Sequence, residues 1–401
     1  MTLNLNELTE KPFIGLVELM RLAHAGIDIS PIGQMLIEKT TENPNDANAL
    51  LDLGIVLQLR GNRELALQAQ KQAVELQRAY VLPAKKTTLR VLTLVSLGDL
   101  MANTPIEFLV ENSDIELTLF YVTEDLFTVA GNLNEDFPEH DVLFVAIAES
   151  EQNLALLKQL TPILKKWTKP VLNKPEKIAK MSRDEACQLL ANINEVKMPK
   201  TLRYSRENLN SISFDYPIII RPVDSHAGHD LEKIDSQTAL LNYLERQKFT
   251  EFFVAKFIDY RNVDGLFRKY RVMLIAGKPF LAHLAISQNW MIHYLNAGMA
   301  EDAKKRDEEA QVMNDFDTTF ATKHANAFQK IYQKTGLDYV GLDCSETQNG
   351  KLLIFEIDSC MIVHSIDPID LFPYKPTHMA KLFSNFQKLL IDHHRQSLQK
   401  N

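Results

Sequence analysis

The chain has 401 residues with 44 Lys+Arg against 52 Asp+Glu, a formal charge of −8, and 45% of its residues are hydrophobic. That length suggests two or three domains with globular cores, and the acidic excess argues against a protein that wraps nucleic acid or lies on an anionic membrane. Apolar runs such as 142–148 fall well short of the ~18 residues needed to span a bilayer. Three cysteines far apart (Cys187, Cys344, Cys360) and a start with no basic n-region lead to the expectation of a cytoplasmic protein without a signal peptide.

The first 84 residues read as helices. Leu16, Leu19, Met20 and Ala23 recur at helical spacing, as do Met35, Leu36 and Thr40 after the breaker Pro31. The turn Asn43-Pro44-Asn45-Asp46 can cap a helix over 47–59, Gly61-Asn62 ends it, and 63–78 forms another. Leu50, Leu53-Gly54, Leu57, Ala66 and Ala73 resemble the tetratricopeptide pattern, whose period of about 34 residues carries Leu53-Gly54 back to Leu19-Met20. About one and a half repeats fall short of the ~3 of a free-standing solenoid. Two roles stay open for these helical hairpins, packing alone or docking a peptide or protein partner.

A second domain is expected over 85–173. The β-branched runs 89–97, 115–122 and 142–148 alternate with helical stretches, the last over 150–166. Buried strands alternating with helices mean a parallel sheet of βαβ units. No GxGxxG follows its first strand, so this domain carries no nucleotide signature of its own.

The third domain, 174–401, reads as α+β with antiparallel hairpins, a helix over 180–192 and a long helix over 301–336. Three of its segments carry chemistry. In the first, 216–228, an apolar strand delivers Arg221 and then a turn with Ser225, His226 and Gly228, which can offer backbone N–H groups to phosphate oxygens. In the second, the strand ending at Lys256-Phe257 leads to a connector able to pair with an adenine edge, then Asp264, then a hairpin bearing Arg268, Lys269, Arg271 and Lys278. Four basic groups so close together in an acidic protein suit a polyphosphate, unless the lysines only guard an edge strand. In the third, Asp343 sits on one strand and Glu356 and Asp358 alternate on the next, on one face. Three hard oxygen ligands facing one site suit Mg²⁺; the alternative is a solvated sheet face.

Taken in order, "YPIIIRPVDSHAG", "FVAKFID", "RKYRVMLIAGK", "GLDC" and "LLIFEID" resemble the ATP-grasp superfamily, in particular its ribosomal-protein glutamate ligase and D-alanine–D-alanine ligase branches. The resemblance implies a Rossmann-like domain over 85–173, then a two-lobed ATP-grasp domain binding ATP and Mg²⁺. It implies that Arg221 contacts the α/β-phosphates and that 225–228 stands for the phosphate loop. Ala255 to Phe257, with Lys256, would be the adenine hinge and Asp264 the ribose contact. Arg271 would touch the γ-phosphate and an acyl-phosphate, and Asp343, Glu356 and Asp358 would hold Mg²⁺. The chain departs from the family pattern in Arg for Lys at 221, one glycine in the loop, and Asp for Asn at 358.

The activity so implied is ATP-dependent ligation of a carboxylate to an amine or thiol through an acyl-phosphate, on a small molecule or peptide. His283 and His293, in a segment rich in polar aromatics, are candidates to orient the nucleophile or take its proton, and His364 and Asp367 are candidates for the same mouth. His226 and His229 lie in a loop without a cysteine partner, which argues against zinc, and Cys360 reads as a small buried residue. Two alternatives remain at this stage: a non-catalytic scaffold that senses nucleotide, and an ATP-grasp kinase of a small molecule.

Overall fold

The N-terminal helices form where apolar spacing and a polar cap put them. In the computed structural model, which describes residues 8, 10–124, 137–223, 225 and 228–399, α1 spans Leu16–His24, α2 Ser30–Glu42, α3 Ala47–Leu59 and α4 Arg63–Leu76. The Asp46 carboxylate accepts the Ala49 N–H at 3.0 Å, satisfying one donor that a helix start leaves without an intrahelical partner. Leu19, Leu22, Ile32, Leu36 and Val56 are buried together in one cluster. Gly54 permits the close approach of α3 to α4, since a Cβ there would lie 3.2 Å from the Ala66 carbonyl oxygen.

The chain divides into two compact units, one of Met1–Ala148, Gln152–Ile178 and Ser359–Asn401, the other of Glu149–Glu151 and Ala179–Asp358. In the first unit, β1 (Ala79–Leu82), β2 (Leu89–Val95), β3 (Ile115–Tyr121), β4 (Val142–Val145) and β5 (Val171–Leu172) form a sheet ordered β1-β3-β2-β4-β5. β2 pairs in parallel with β3 and β4, and β4 with β5. The three β-branched runs are therefore nearly continuous buried strands, as a parallel sheet covered on both faces requires. β1 adds an antiparallel edge that its short sequence did not announce. The helix Lys375–Leu398 brings Phe386 edge-on to Phe144, ring centres 5.6 Å apart.

The second unit holds two sheets. β7 (Thr201–Ser205), β10 (Glu251–Lys256), β8 (Ile218–Pro222) and β9 (Glu232–Ile234) lie in that order, all antiparallel. The other sheet is ordered β12 (Lys278–Ser287), β11 (Phe267–Ile275), β13 (Tyr339–Glu346), β14 (Leu352–Asp358) and β6 (Val196–Lys197). The helix expected over 301–336 is broken into Ala303–Asp315, Phe320–Lys323 and Ala325–Thr335. At the break, the Thr318 and Thr319 hydroxyls donate to the Asp315 carbonyl at 3.1 and 2.7 Å, offering the backbone an alternative to the helical ladder.

The β11–β12 hairpin turns on two residues, Ala276 and Gly277, at φ 48° and 78°. Two consecutive positive φ angles match the right-handed twist of the flanking strands and fix the hairpin register. A Cβ on Gly277 would stand 2.7 Å from Tyr332 Cδ1. Among the described residues no helix is long and apolar enough to cross a membrane.

Asp52 is buried in α3 and accepts the backbone N–H groups of Ile14 at 2.7 Å and Gly15 at 2.9 Å. Burial pushes its carboxyl up to about 7, although the two N–H bonds pull the other way. Asp52→Ala leaves two buried donors without an acceptor and is expected to cost about 2 kcal/mol in urea unfolding. Gly277→Ala combines backbone strain with a ring collision, and is expected to destabilise by about 1–3 kcal/mol in the same measurement.

Candidate active site

Strand alternation puts Lys269 and Arg271 of β11 on one face. Register then aligns a row of polar side chains across the sheet. Arg271 stands opposite His283 on β12 and opposite Asp343 on β13, and Asp343 stands opposite Glu356 on β14. The pairing shifts beside this row in two places, next to Arg271 on the β12 side and next to Asp343 on the β14 side. Such bulges re-aim side chains, and here both flank the same row. Asp358, two residues beyond Glu356 and opposite Gly341, shares its face.

Asp343 is the buried centre of this row. Arg271 donates from Nε to Oδ1 at 2.9 Å and from Nη2 to Oδ2 at 3.1 Å, and Lys269 Nζ donates to Oδ2 at 2.8 Å. Burial alone would raise the Asp343 carboxyl, but Arg271 and Lys269 outweigh it and hold the group well below the usual carboxylate range. Glu356 is ion-paired to Arg183. Against the upward pull of burial, Arg183 and Arg221 keep it below its ordinary value. Arg183 was not singled out from the sequence, where it opens an ordinary charged helix, Arg183–Leu190, 173 residues from its partner.

Arg221 is the penultimate residue of β8 and is 8% exposed. Its Nε donates to Ser225 Oγ at 2.9 Å and its Nη2 to the Ser225 carbonyl, so the guanidinium braces the turn expected to be a phosphate loop. Among the described residues it has no ion-paired carboxylate. Burial, with the like charge of Arg183 close by, pulls it down to about 9, which leaves it charged at neutral pH. Gly228 lies in the left-handed region at φ 76°; His226 lies outside the described residues.

At the expected hinge, β10 pairs with β8 as far as Lys256 but with β7 only as far as Ala255. Phe257 donates its N–H to the Pro217 carbonyl, and its ring meets Trp290 edge-on at 5.7 Å under Lys233 Nζ at 5.0 Å. Asp264 is turned to Arg268, with Nη2 at 2.7 Å, and this pair and the Leu266 N–H lower it to about 2. Arg268 also pairs with Glu308 and Lys278 is exposed, so the four basic residues of the hairpin do not act together. Only Lys269 and Arg271 face the acidic row.

His293 lies near Lys269, Arg271 and His229, and burial followed by those two cations lowers its pKa. His283 packs on Tyr294 at 4.5 Å, and the Tyr294 hydroxyl donates to buried Glu309 at 2.9 Å. His364 and Asp367 belong to the first unit, with His24 Nε2 3.8 Å from Asp367 Oδ1 and Lys375 Nζ 3.2 Å from Oδ2. Cys360, in that same unit, is buried and within 3.4 Å of Thr104 Oγ1.

The donor chemistry of Asp343, Glu356 and Asp358 suits a hard divalent cation, but their arrangement does not. Among the described residues no three His, Cys, Asp or Glu side chains are grouped so as to hold a metal ion. Both oxygens of Asp343 already accept from cationic side chains. The three expected magnesium ligands, Asp343, Glu356 and Asp358, are not grouped as a ligand set.

No protein-family model matches the chain. It is 22% identical over 197 residues to the tetrahydromethanopterin:alpha-L-glutamate ligase of Methanococcus maripaludis, a stretch covering 48% of this chain and 61% of the relative. Solved structures to which it is similar include D-alanine–D-alanine ligase from Bacillus anthracis complexed with ATP (TM-score 0.47, 11% identity, 78% of this chain and 100% of that one). The VanG D-Ala:D-Ser ligase from Enterococcus faecalis gives TM-score 0.45 at 14% identity, over 77% and 100% of the two chains. A RimK domain ATP-grasp protein from Sphaerobacter thermophilus gives 0.43 at 15%, over 74% and 98%. All four are ligases or ATP-grasp proteins by name.

Arg271→Met leaves the buried Asp343 carboxylate with Lys269 as its remaining ion-pair partner. Urea unfolding is expected to show a loss of about 3 kcal/mol, the scale of breaking a buried pair; a change within 0.5 kcal/mol, the scale of a surface substitution, would contradict the pairing.

Proposed function

We propose that the second unit binds the polyphosphate of ATP at Arg221 and Ser225 and that the chain is an ATP-dependent ligase joining a carboxylate to an amine. The observation that carries this reading is Arg221: a buried, charged guanidinium braced on a turn, without an ion-paired carboxylate among the described residues. Burying a cation is costly unless an anion compensates it. Among the described residues, Arg183, Arg221, Lys269 and Arg271 gather around the carboxylates of Asp343, Glu356 and Asp358, a concentration of cations that favours an anionic ligand. The β10 edge beyond Ala255, beside Phe257 and Trp290, supports placing the adenine there. The named ligases of the comparison support the reaction class.

The reaction that follows is a two-step transfer. A carboxylate oxygen of the acceptor attacks the γ-phosphorus, the bond to the bridging oxygen breaks, and ADP leaves with an acyl-phosphate formed. The amine then attacks the acyl carbon, inorganic phosphate leaves, and the amine's proton passes to a base. Charge spread over the transferring phosphoryl group is met by the Arg221 guanidinium, already braced on Ser225, while Arg183 is drawn from its pair with Glu356. His293 is the candidate base, because burial and the neighbouring Lys269 and Arg271 keep it neutral near neutrality, the state that accepts a proton.

Incubation with ATP should release ADP only when both a carboxylate and an amine are supplied. ADP released with the carboxylate alone, without need of the amine, would favour a kinase instead. The acid limb of turnover is expected below the ordinary imidazole value of about 6.5, because His293 protonates only at lower pH. His293→Gln should flatten that limb while lowering the rate about 100-fold or more.

A further inference from the structure

We infer that Lys269 is a built-in counter-cation for Asp343, standing where a divalent cation would otherwise be held, so that Asp343 is not a metal ligand in this protein. The inference rests on the reading of this face as the ligase site but concerns its cation chemistry alone. Its basis is the allotment of donors to one carboxylate. Oδ2 of Asp343 takes both Lys269 Nζ at 2.8 Å and Arg271 Nη2 at 3.1 Å, while Oδ1 takes Arg271 Nε at 2.9 Å. The side chains of Lys269 and Asp343 are 12% and 5% exposed, so little water remains to weaken the contact.

A magnesium-sized cation needs carboxylate oxygens at about 2.0–2.1 Å in near-octahedral geometry. To take Asp343 as a ligand it would have to displace two cationic donors from Oδ2, or sit beside an ammonium already within hydrogen-bond distance of that oxygen. Both options place like charges together in a buried site. Glu356, opposite Asp343 across the strand pair, is likewise held by Arg183. The carboxylates of Asp343 and Glu356 are thus each neutralised from within the chain. Strand alternation explains why the ammonium arrives there, because Lys269 lies two residues before Arg271 and on its face.

Titration of the nucleotide-free full chain with Mn²⁺, followed by the loss of free-ion electron paramagnetic resonance signal, tests this without requiring turnover. The wild-type protein is expected to bind Mn²⁺ more weakly than about 1 mM, the weak end of protein divalent-cation sites. Lys269→Met should strengthen binding at least about tenfold by removing a charge from the Asp343 oxygen. Lys269→Arg, which keeps the charge, should remain like the wild type. Tight Mn²⁺ binding by the wild-type protein would overturn the inference by itself, whatever the folding of the variants. So would a folded Lys269→Met, verified by thermal melting, with affinity unchanged; Lys269→Gln serves the same comparison if Lys269→Met does not fold. Calorimetric titration with ATP runs beside it. Absence of ATP binding would remove the ligase reading and leave the Mn²⁺ result standing, whereas tight wild-type Mn²⁺ binding would remove this inference and leave the ligase reading.

Discussion

One buried triad of charges constrains the second unit: the carboxylate of Asp343 held between Arg271 and Lys269 in the middle of a sheet. An ionised group cannot sit at that depth without strong, well-aligned partners. Their alignment requires the β11–β13 register, which places Arg271 opposite Asp343. The β11 strand is in turn set by a two-residue turn of positive φ, at which the Tyr332 ring leaves no room for a side chain on Gly277. From that fixed point the row extends outward to Glu356 and Arg183, and Arg221 lies near enough to feel both.

Under the proposed reading, the local charge arrangement reconciles an acidic protein with an anionic ligand. Bulk charge governs long-range encounter, but a site is decided by the groups that face it. Guanidinium groups dominate here, and they suit phosphate because their planar fork offers paired donors and stays charged even when burial lowers its pKa. The carboxylates in the row keep those cations ordered in the absence of a ligand. The polyphosphate proposed above would compete for Arg183, paired with Glu356, and leave Asp343 with its partners Arg271 and Lys269.

Much of this architecture is legible in the sequence, and the exceptions have physical reasons. The parallel strands β2, β3 and β4 announce themselves as apolar β-branched runs, because both faces are buried. β1 is only four residues long and directly follows a helical segment, so no periodicity can mark it. β7 carries Arg203 and Ser205 and is only partly buried, which blurs alternation. Within the site, the residues of the row could be picked out by type and spacing, but their pairing could not. Arg268 and Lys269 are adjacent in sequence and point to opposite faces, one to Asp264 and Glu308, the other to Asp343. Arg183 stayed hidden because its partner is supplied by register and packing from the far end of the unit, information that no local pattern contains.

The central claim is that the guanidinium groups of the second unit take the polyphosphate of a nucleotide. Calorimetric titration of the full chain with ATP and with AMP, on the wild type and on Arg221→Met, tests it most directly. The account predicts that ATP binds at least about tenfold more tightly than AMP and that Arg221→Met removes most of that preference, since charge-assisted contacts to phosphate are worth about 1.5–3 kcal/mol each. Equal affinity for ATP and AMP, or an Arg221→Met variant that folds and keeps the full preference for ATP, would contradict it.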